Sequence, residues 1–144
     1  MNIKTRHTGL VVRDIVLSIK FYESLGFQLW KREVEKGDFI SSVVGLSNAV
    51  VETAKLKASD GSLIELLEYR SHPQTSSKIN SPSNSLGCSH IAFTVEDIEN
   101  ACSKIIDSGG SCVNSPSKSP SGEVLVAYCH DIDGILMELV EEIK

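Results

Sequence analysis

The hydrophobic residues of the chain follow two patterns, which occur in the same order in each half. A short aliphatic run follows His7 and another follows His90, and such runs are typical of strands buried on most of their surface. After Asp97 the apolar residues recur at helical spacing, at Ile98, Ala101, Cys102, Ile105 and Ile106. The segment after Asp14 has a broader apolar face of the same period. Each half therefore predicts a strand followed by an amphipathic helix.

Both predicted helices have residues at their ends that favour helix boundaries. Asp14 and Asp97 stand at N-cap positions, where a carboxylate can accept hydrogen bonds from the first amides of a helix. Gly26 and Gly109 follow the last apolar positions, where glycine commonly ends a helix. We therefore expect one helix between Asp14 and Gly26 and another between Asp97 and Gly109.

Three strand-like segments follow each predicted helix. They cover residues 27–33, the mixed apolar stretch 43–56 and 62–67 in the first half, and 111–113, 124–130 and 135–140 in the second half. Each half thus has the order βαβββ. The predicted fold class is α+β, with two tandem βαβββ modules.

The two halves also resemble each other letter by letter. HTGLVVRDI at residues 7–15 returns as HIAFTVEDI at residues 90–98, an offset of 83. DGSLIELLE at residues 60–68 returns as DGILMELVE at residues 133–141, an offset of 73. The second half therefore lacks ten residues between its helix and its last strand. A repeat of this kind indicates two copies of one structural unit.

The repeat also suggests where the modules begin and end. We expect a first module at residues 1–71 and a second at residues 87–144, packed as one compact domain. The polar segment between them, residues 72–86, contains two prolines and has the composition of a linker. Residues 115–122, SPSKSPSG, predict a mobile loop inside the second module.

Composition excludes some functions. The net charge is −5 and the 14 basic residues are scattered, which argues against a nucleic-acid partner. No apolar run approaches the ~20 residues that span a bilayer, and the N-terminus lacks the apolar core of a signal peptide, so we expect no membrane partner and a cytoplasmic location. The four cysteines have no C-x-x-C spacing, and we expect small buried side chains rather than disulfides or a zinc site; they are Cys88, Cys102, Cys112 and Cys129.

One histidine and one glutamate return at matching places in the two modules. His7 and His90 lie at the first strands, while Glu65 and Glu138 lie within the last strands among apolar residues, where a charge needs a partner. Two imidazoles and two carboxylates suit Zn²⁺, Ni²⁺, Co²⁺, Mn²⁺ or Fe²⁺ and leave coordination positions open for a substrate. Each residue alone fits a structural role at least as well. Because both residue types recur together, one shared metal site is as well supported as separate structural roles for the four residues.

These segments resemble the signatures of the vicinal oxygen chelate superfamily, which includes glyoxalases, bleomycin-binding proteins and extradiol dioxygenases. HTGLVVRDIVLSIKFYESLGF resembles its opening motif, and GSLIELLE, CSHIAFTVEDI and HDIDGILMELVE resemble three others. The resemblance covers nearly the whole chain. It implies paired modules whose curled mixed sheets form a cup around one divalent metal ion. The implied ligands are His7, Glu65, His90 and Glu138.

A full set of two histidines and two glutamates is similar to that of glyoxalase I and, with a variation, of methylmalonyl-CoA epimerase. The strings IELLE and HIAFTVEDI look more like the epimerase. Separately, residues 66–70 read LLEYR, so the phrase ELTYN that is usual in glyoxalase I is absent. The resemblance implies a metal-dependent isomerase or lyase that removes a proton next to a carbonyl of a small substrate, with Glu138 as the base and Glu65 as the second candidate. The alternatives are an extradiol-type dioxygenase and a metal-free protein that binds or sequesters a small molecule. Family analogy also suggests a homodimer.

Overall fold

A computed structural model of the chain describes residues 1–73, 80 and 82–144. The chain divides into two compact units, Met1–Thr75 and Ser76–Lys144. Each unit contains one mixed sheet with at least one helix, so the predicted α+β class is confirmed. Within the described residues, no helix is both long enough and apolar enough to cross a membrane.

Unit 1 is a four-stranded sheet with two helices. Its elements are β1 Thr8–Val11, α1 Ile15–Ser24, β2 Gln28–Lys36, α2 Asp38–Val44, β3 Val50–Lys57 and β4 Leu63–Tyr69. The strand order is β1-β4-β3-β2, with β1 parallel to β4 and the other pairs antiparallel. Helix α1 packs on β3 and β4. It buries Ile15, Phe21 and Tyr22, while β4 buries Ile64 and Leu66. The core of this unit therefore lies between the sheet and α1.

Unit 2 repeats this plan with shorter strands in the middle. Its elements are β5 Ile91–Thr94, α3 Ile98–Asp107, β6 Ser111–Cys112, β7 Ser117–Lys118, β8 Val124–His130 and β9 Leu136–Glu142. The order is β5-β9-β8-β6, β7 also pairs with β8, and β5 is parallel to β9. Helix α3 packs on β6, β8 and β9. It buries Ile98 and Ile105, and β9 buries Met137 and Leu139.

The predicted helix boundaries are confirmed. The Asp14 side chain accepts hydrogen bonds from the amides of Val16 and Leu17, and the Asp97 side chain accepts one from Asn100. The residues that follow the two C-caps are Gly26, with φ 100°, and Gly109, with φ 97°. Glycine fits these positions because a β-carbon disfavours positive φ.

Helix α2 was not predicted, and the expectation of strand structure from residue 43 was wrong. The segment 38–44 is helical and ends at Gly45, which has φ 70°. Only Ile40 of this short helix is buried, so it has almost no amphipathic pattern to detect. In unit 2 the equivalent region, between β6 and β8, contains the two-residue strand β7 instead of a helix, and the ten residues that unit 2 lacks fall there.

Two predicted irregular segments have different outcomes. Residues 115–122 are not entirely a loop, because Ser117 and Lys118 form β7 and pair with Val126 and Leu125 of β8. The predicted linker 72–86 includes residues 74–79 and 81, which lie outside the described residues.

Candidate functional site

His7 and Glu65 form a pair at the parallel edge of the unit 1 sheet. Glu65 lies opposite Gly9 of β1, and His7 precedes that strand by one residue. The buried neighbours Ile64 and Leu66 point to the helix side, so alternation places Glu65 on the other face. The distance from His7 Nε2 to Glu65 Oε1 is 3.5 Å. The two candidate site residues of this unit therefore lie next to each other.

His90 and Glu138 form the equivalent pair in unit 2. Glu138 lies opposite Ala92 of β5, and its neighbours Met137 and Leu139 are buried on the helix side. His90 Nε2 is 3.0 Å from Glu138 Oε2. The second pair of predicted residues thus also meets, within its own unit.

The two glutamates have different neighbours on the adjacent strand. Lys55 of β3 lies opposite Glu65, and its Nζ is 3.5 Å from Glu65 Oε2. At the equivalent position of unit 2, Tyr128 of β8 lies opposite Glu138, and its ring centroid is 5.1 Å from that of His90. Neither residue was predicted from the sequence. The signal was present, since positions 55 and 128 have the same offset of 73 as the two glutamates.

The two imidazoles differ in what their second ring nitrogen contacts. His90 Nδ1 is 3.1 Å from Ser89 Oγ, so one of the two can donate a hydrogen bond to the other. His7 Nδ1 is buried and has no hydrogen-bond partner among the described residues. A histidine that binds a metal through one nitrogen usually donates a hydrogen bond from the other. The His90 ring meets this condition within the protein.

The geometry of each pair suits two ligands of a single divalent ion. Nitrogen and oxygen donors lie about 2.1 Å from such an ion, which puts two of them about 3.0 Å apart at a right angle and about 3.4 Å apart at the tetrahedral angle. The observed separations are 3.0 Å for His90 and Glu138 and 3.5 Å for His7 and Glu65. The donor spacing within each unit is therefore compatible with the divalent ion that the resemblance implies.

The last glutamate of each repeated nonapeptide has a separate structural role. Glu68 Oε1 accepts a hydrogen bond from the amide of Ile15 at 3.2 Å. Glu141 Oε2 accepts one from the amide of Ile98 at 2.7 Å. Each carboxylate thereby satisfies the first amide of the helix in its unit, α1 or α3, beside the N-cap aspartate. This contact was not predicted from the sequence.

The buried carboxylate of Glu52 is bound by two arginines on the helix side of the unit 1 sheet. Arg70 Nη2 lies 2.9 Å and Arg32 Nη2 3.2 Å from Glu52 Oε1. Burial raises the pKa of Glu52, but the hydrogen bonds and charges of Arg32 and Arg70 outweigh it and hold the pKa below its usual value. Arg70 is thus part of an internal ion pair.

The cysteine prediction is confirmed in part. Cys102 and Cys129 are buried and Cys112 is half-buried, but Cys88 is exposed, so the expectation that it is buried was wrong. Its neighbours explain the difference, because the whole segment 82–88 is exposed. None of the four cysteines forms a disulfide in this structure.

Two α+β units, each with a parallel pair of first and last strands and a His–Glu pair on them, define the class of paired βαβββ proteins. The sequence profile described as the Glyoxalase/Bleomycin resistance protein/Dioxygenase superfamily matches residues 4–139. The chain belongs to this superfamily, as its motifs predicted.

Known proteins agree with this assignment. A probable lactoylglutathione lyase of Synechocystis sp. is 33% identical over 137 residues, which cover 94% of this chain and 92% of the relative. The crystal structure of a glyoxalase family protein from Bacillus cereus has a TM-score of 0.92 at 29% identity and covers 100% of this chain and 97% of its own. A mutant of the fosfomycin resistance protein FosX from Listeria monocytogenes, solved with Mn(II) and dihydroxypropylphosphonic acid, has a TM-score of 0.64 at 17% identity, with 96% and 90% covered. At that identity the last likeness shows the fold alone.

Proposed function

We propose that this protein is a divalent-metal-dependent enzyme of the glyoxalase-like type, a lyase or isomerase that removes a proton next to the carbonyl of a small substrate. The observation that carries the proposal is the His–Glu pair in each unit, with its donor atoms at the spacing of metal ligands. Relatives named lactoylglutathione lyase, which match across 94% of the chain, support the lyase class. A cytoplasmic location and a homodimeric state belong to the same proposal by family analogy.

The proposed ligands are His7, Glu65, His90 and Glu138, and the proposed cofactor is one ion of Zn²⁺, Ni²⁺, Co²⁺, Mn²⁺ or Fe²⁺. When bound, such an ion supplies Lewis-acid stabilisation to a substrate oxygen that gains negative charge. The manganese in the FosX structure supports a divalent ion in this fold. The imidazoles and carboxylates hold the ion, and His90 is oriented through its contact with Ser89.

Glu138 is the proposed general base, and Glu65 is the second candidate. Both oxygens of Glu65 have neighbours, with His7 beside one and Lys55 beside the other. The Glu138 side chain is 25% exposed, against 14% for Glu65. Proton transfer requires a carboxylate oxygen within hydrogen-bond reach of the substrate carbon. The more exposed Glu138 meets that requirement better.

The proposed substrate class is a small α-hydroxycarbonyl compound or thioester, and the first candidate is the hemithioacetal of glutathione and a 2-oxoaldehyde. The names of the relatives support a glutathione-linked substrate. Residues 66–70 depart from the glyoxalase I phrase, but Glu68 and Arg70 make contacts inside unit 1, to Ile15 and Glu52. That departure therefore removes no proposed ligand. A methylmalonyl-CoA-type thioester is the second candidate.

The proposal is tested with metal-loaded wild-type protein and the Glu138→Gln variant, assayed on both candidate substrates with deuterium incorporation from D₂O as a second readout. We expect wild-type turnover, and a rate about 10²- to 10⁴-fold lower for Glu138→Gln because the variant lacks the base. Glu142→Gln, which changes an exposed residue at the end of β9, is the matched control and should keep the wild-type rate.

Two outcomes would contradict this proposal. If Glu138→Gln retains its metal and the wild-type rate, the base is another residue. If the wild-type protein binds none of the five metals and converts neither substrate, the His–Glu contacts are ordinary ion pairs and the enzyme proposal fails. Tight binding of a small molecule by such a metal-free protein would then favour the sequestration alternative.

A further inference from the structure

Three of the four cysteines lie together inside unit 2, at a place that the proposed function does not use. Cys102 on α3, Cys112 on β6 and Cys129 on β8 have Sγ atoms that all lie within 4.8 Å of one another. Within this cysteine cluster, the sulfurs of Cys112 and Cys129 are 3.1 Å apart, and the Cys102 thiol interacts with both.

The register of the sheet brings Cys112 and Cys129 together. They lie directly opposite each other on antiparallel strands. The next pair is hydrogen bonded, because the Val113 amide donates to the Tyr128 carbonyl at 2.7 Å. Hydrogen-bonded and non-hydrogen-bonded pairs alternate, so the cysteines occupy a non-hydrogen-bonded pair, where opposing side chains approach most closely. The Asn114 side chain also accepts a hydrogen bond from the Tyr128 amide at 2.9 Å, which fixes β6 to β8 beside Cys112.

Tight packing at Gly110 holds the start of β6 in place. A β-carbon at this position would lie 2.5 Å from the carbonyl oxygen of His130 and 2.7 Å from Ile105 Cγ2. Glycine therefore lets β6 begin close to both β8 and α3. As a result, the two opposing thiols are held in contact before any reaction occurs.

Exposure and protonation distinguish the three thiols. Cys102 and Cys129 are buried, whereas Cys112 is half-buried and is the most accessible of the three to a dissolved oxidant. Burial raises the pKa of Cys102 to about 11, and burial also raises the pKa of Cys129 well above its usual range. A disulfide between two of the thiols leaves no buried charge.

We propose that Cys112 and Cys129 are a modification site, which a peroxide oxidises to a reversible cross-strand disulfide. Hydrogen peroxide oxidises the Cys112 thiol to a sulfenic acid and is reduced to one water molecule. The Cys129 sulfur then attacks the Cys112 sulfur, and the sulfenic hydroxyl leaves with the Cys129 proton as a second water molecule. The sulfurs approach by about 1 Å to reach the bond length of about 2.05 Å. A dithiol reductant restores both thiols and is itself oxidised to a disulfide.

The test is a thiol count on the full-length protein, before and after treatment with a small excess of hydrogen peroxide. Titration in denaturant should fall from four thiols to two, with a loss of about 2 Da in the intact mass. Dithiothreitol should return the count to four. Proteolysis without reduction should yield one linked pair of peptides, containing Cys112 and Cys129.

Two variants separate this pairing from general cysteine oxidation. Cys102→Ser removes the third thiol of the cluster and should leave the linked peptides unchanged. Cys88→Ser removes the exposed thiol and should also leave them unchanged. The proposal is overturned if the linked pair contains Cys88 or Cys102, or if Cys112 proceeds to a sulfinic acid while Cys129 stays a thiol. A purified protein that carries a metal ion released by thiol reagents would also overturn it.

Discussion

At the scale of single residues, Glu52 is a charged side chain buried in unit 1. Its side chain is 5% exposed, and Arg32 and Arg70 bind it from the solvent side. The folded-state pKa lies below the ordinary value of 4.5, so the two ion pairs stabilise the fold above that pH. Their contribution is lost as the pH falls through the lower, folded-state value, because the protonated acid no longer attracts the arginines.

The variant Glu52→Gln should lower the free energy of unfolding by about 1–3 kcal/mol at pH 7, since the amide keeps the shape but not the charge. The difference from wild type should shrink in the acid range below pH 4.5. Urea denaturation at pH 7 and at a pH below 4.5 measures this difference in the free energy of unfolding. The control is Glu33→Gln, whose side chain is 40% exposed and lies 3.8 Å from Lys31, and it should change stability by less than about 0.5 kcal/mol. A loss for Glu52→Gln that is equal at both pH values would assign the effect to packing instead of charge.

At the scale of elements, the first turns of α1 and α3 are each bound by two carboxylates from different parts of the chain. In unit 2, Asp97 caps α3 from the preceding residue, while Glu141 reaches the Ile98 amide from β9. The second contact joins the helix to the strand that carries Glu138. The contact is tertiary, so it stabilises the packing of α3 as well as its first turn.

We expect Glu141→Ala to lower the free energy of unfolding by about 1–2 kcal/mol, because it leaves the Ile98 amide without its acceptor. Glu141→Gln keeps an oxygen acceptor and should lose less. Chemical denaturation monitored by circular dichroism measures both variants. The neighbouring Glu142→Ala, at an exposed site, should have almost no effect. If it destabilised the protein as much as Glu141→Ala does, general charge would explain the loss rather than the helix contact.

At the scale of the whole molecule, the proposed centre draws one histidine and one glutamate from each unit. The proposal assigns all four to one ion, so metal analysis should find one ion per chain. His7→Ala and His90→Ala should each remove most of the bound metal and the thermal stabilisation that it provides. The double variant should show no further loss, since one ion cannot be lost twice. Two ions per chain, with one retained in each single variant, would show that each His–Glu pair binds its own.

The sequence predicted much of this architecture because its signals are local or repeated. Asp14 indicates the start of a helix because its side chain can cap the first amides, and Gly26 indicates the end because glycine adopts positive φ. The repeated His and Glu indicate the strands that carry the candidate site. Two features escaped prediction for a physical reason. Helix α2 is short and mostly exposed, so it lacks a buried face whose apolar residues would recur at helical spacing in the sequence. The role of Lys55 depends on strand register, because the offset of 73 matches Lys55 to Tyr128 but does not place it opposite Glu65.

Glu65 and Glu68 stand three residues apart on β4, so they point to opposite faces, one to His7 and the other to the start of α1. A shift of β4 by one residue would exchange these faces and remove both contacts at once. Insertions and deletions are therefore restricted to segments that leave the strand in register. The ten residues that unit 2 lacks fall within this permitted region, between its helix and its last strand. Glu65 and Glu68 can keep both contacts only while the spacing of three residues between them is kept.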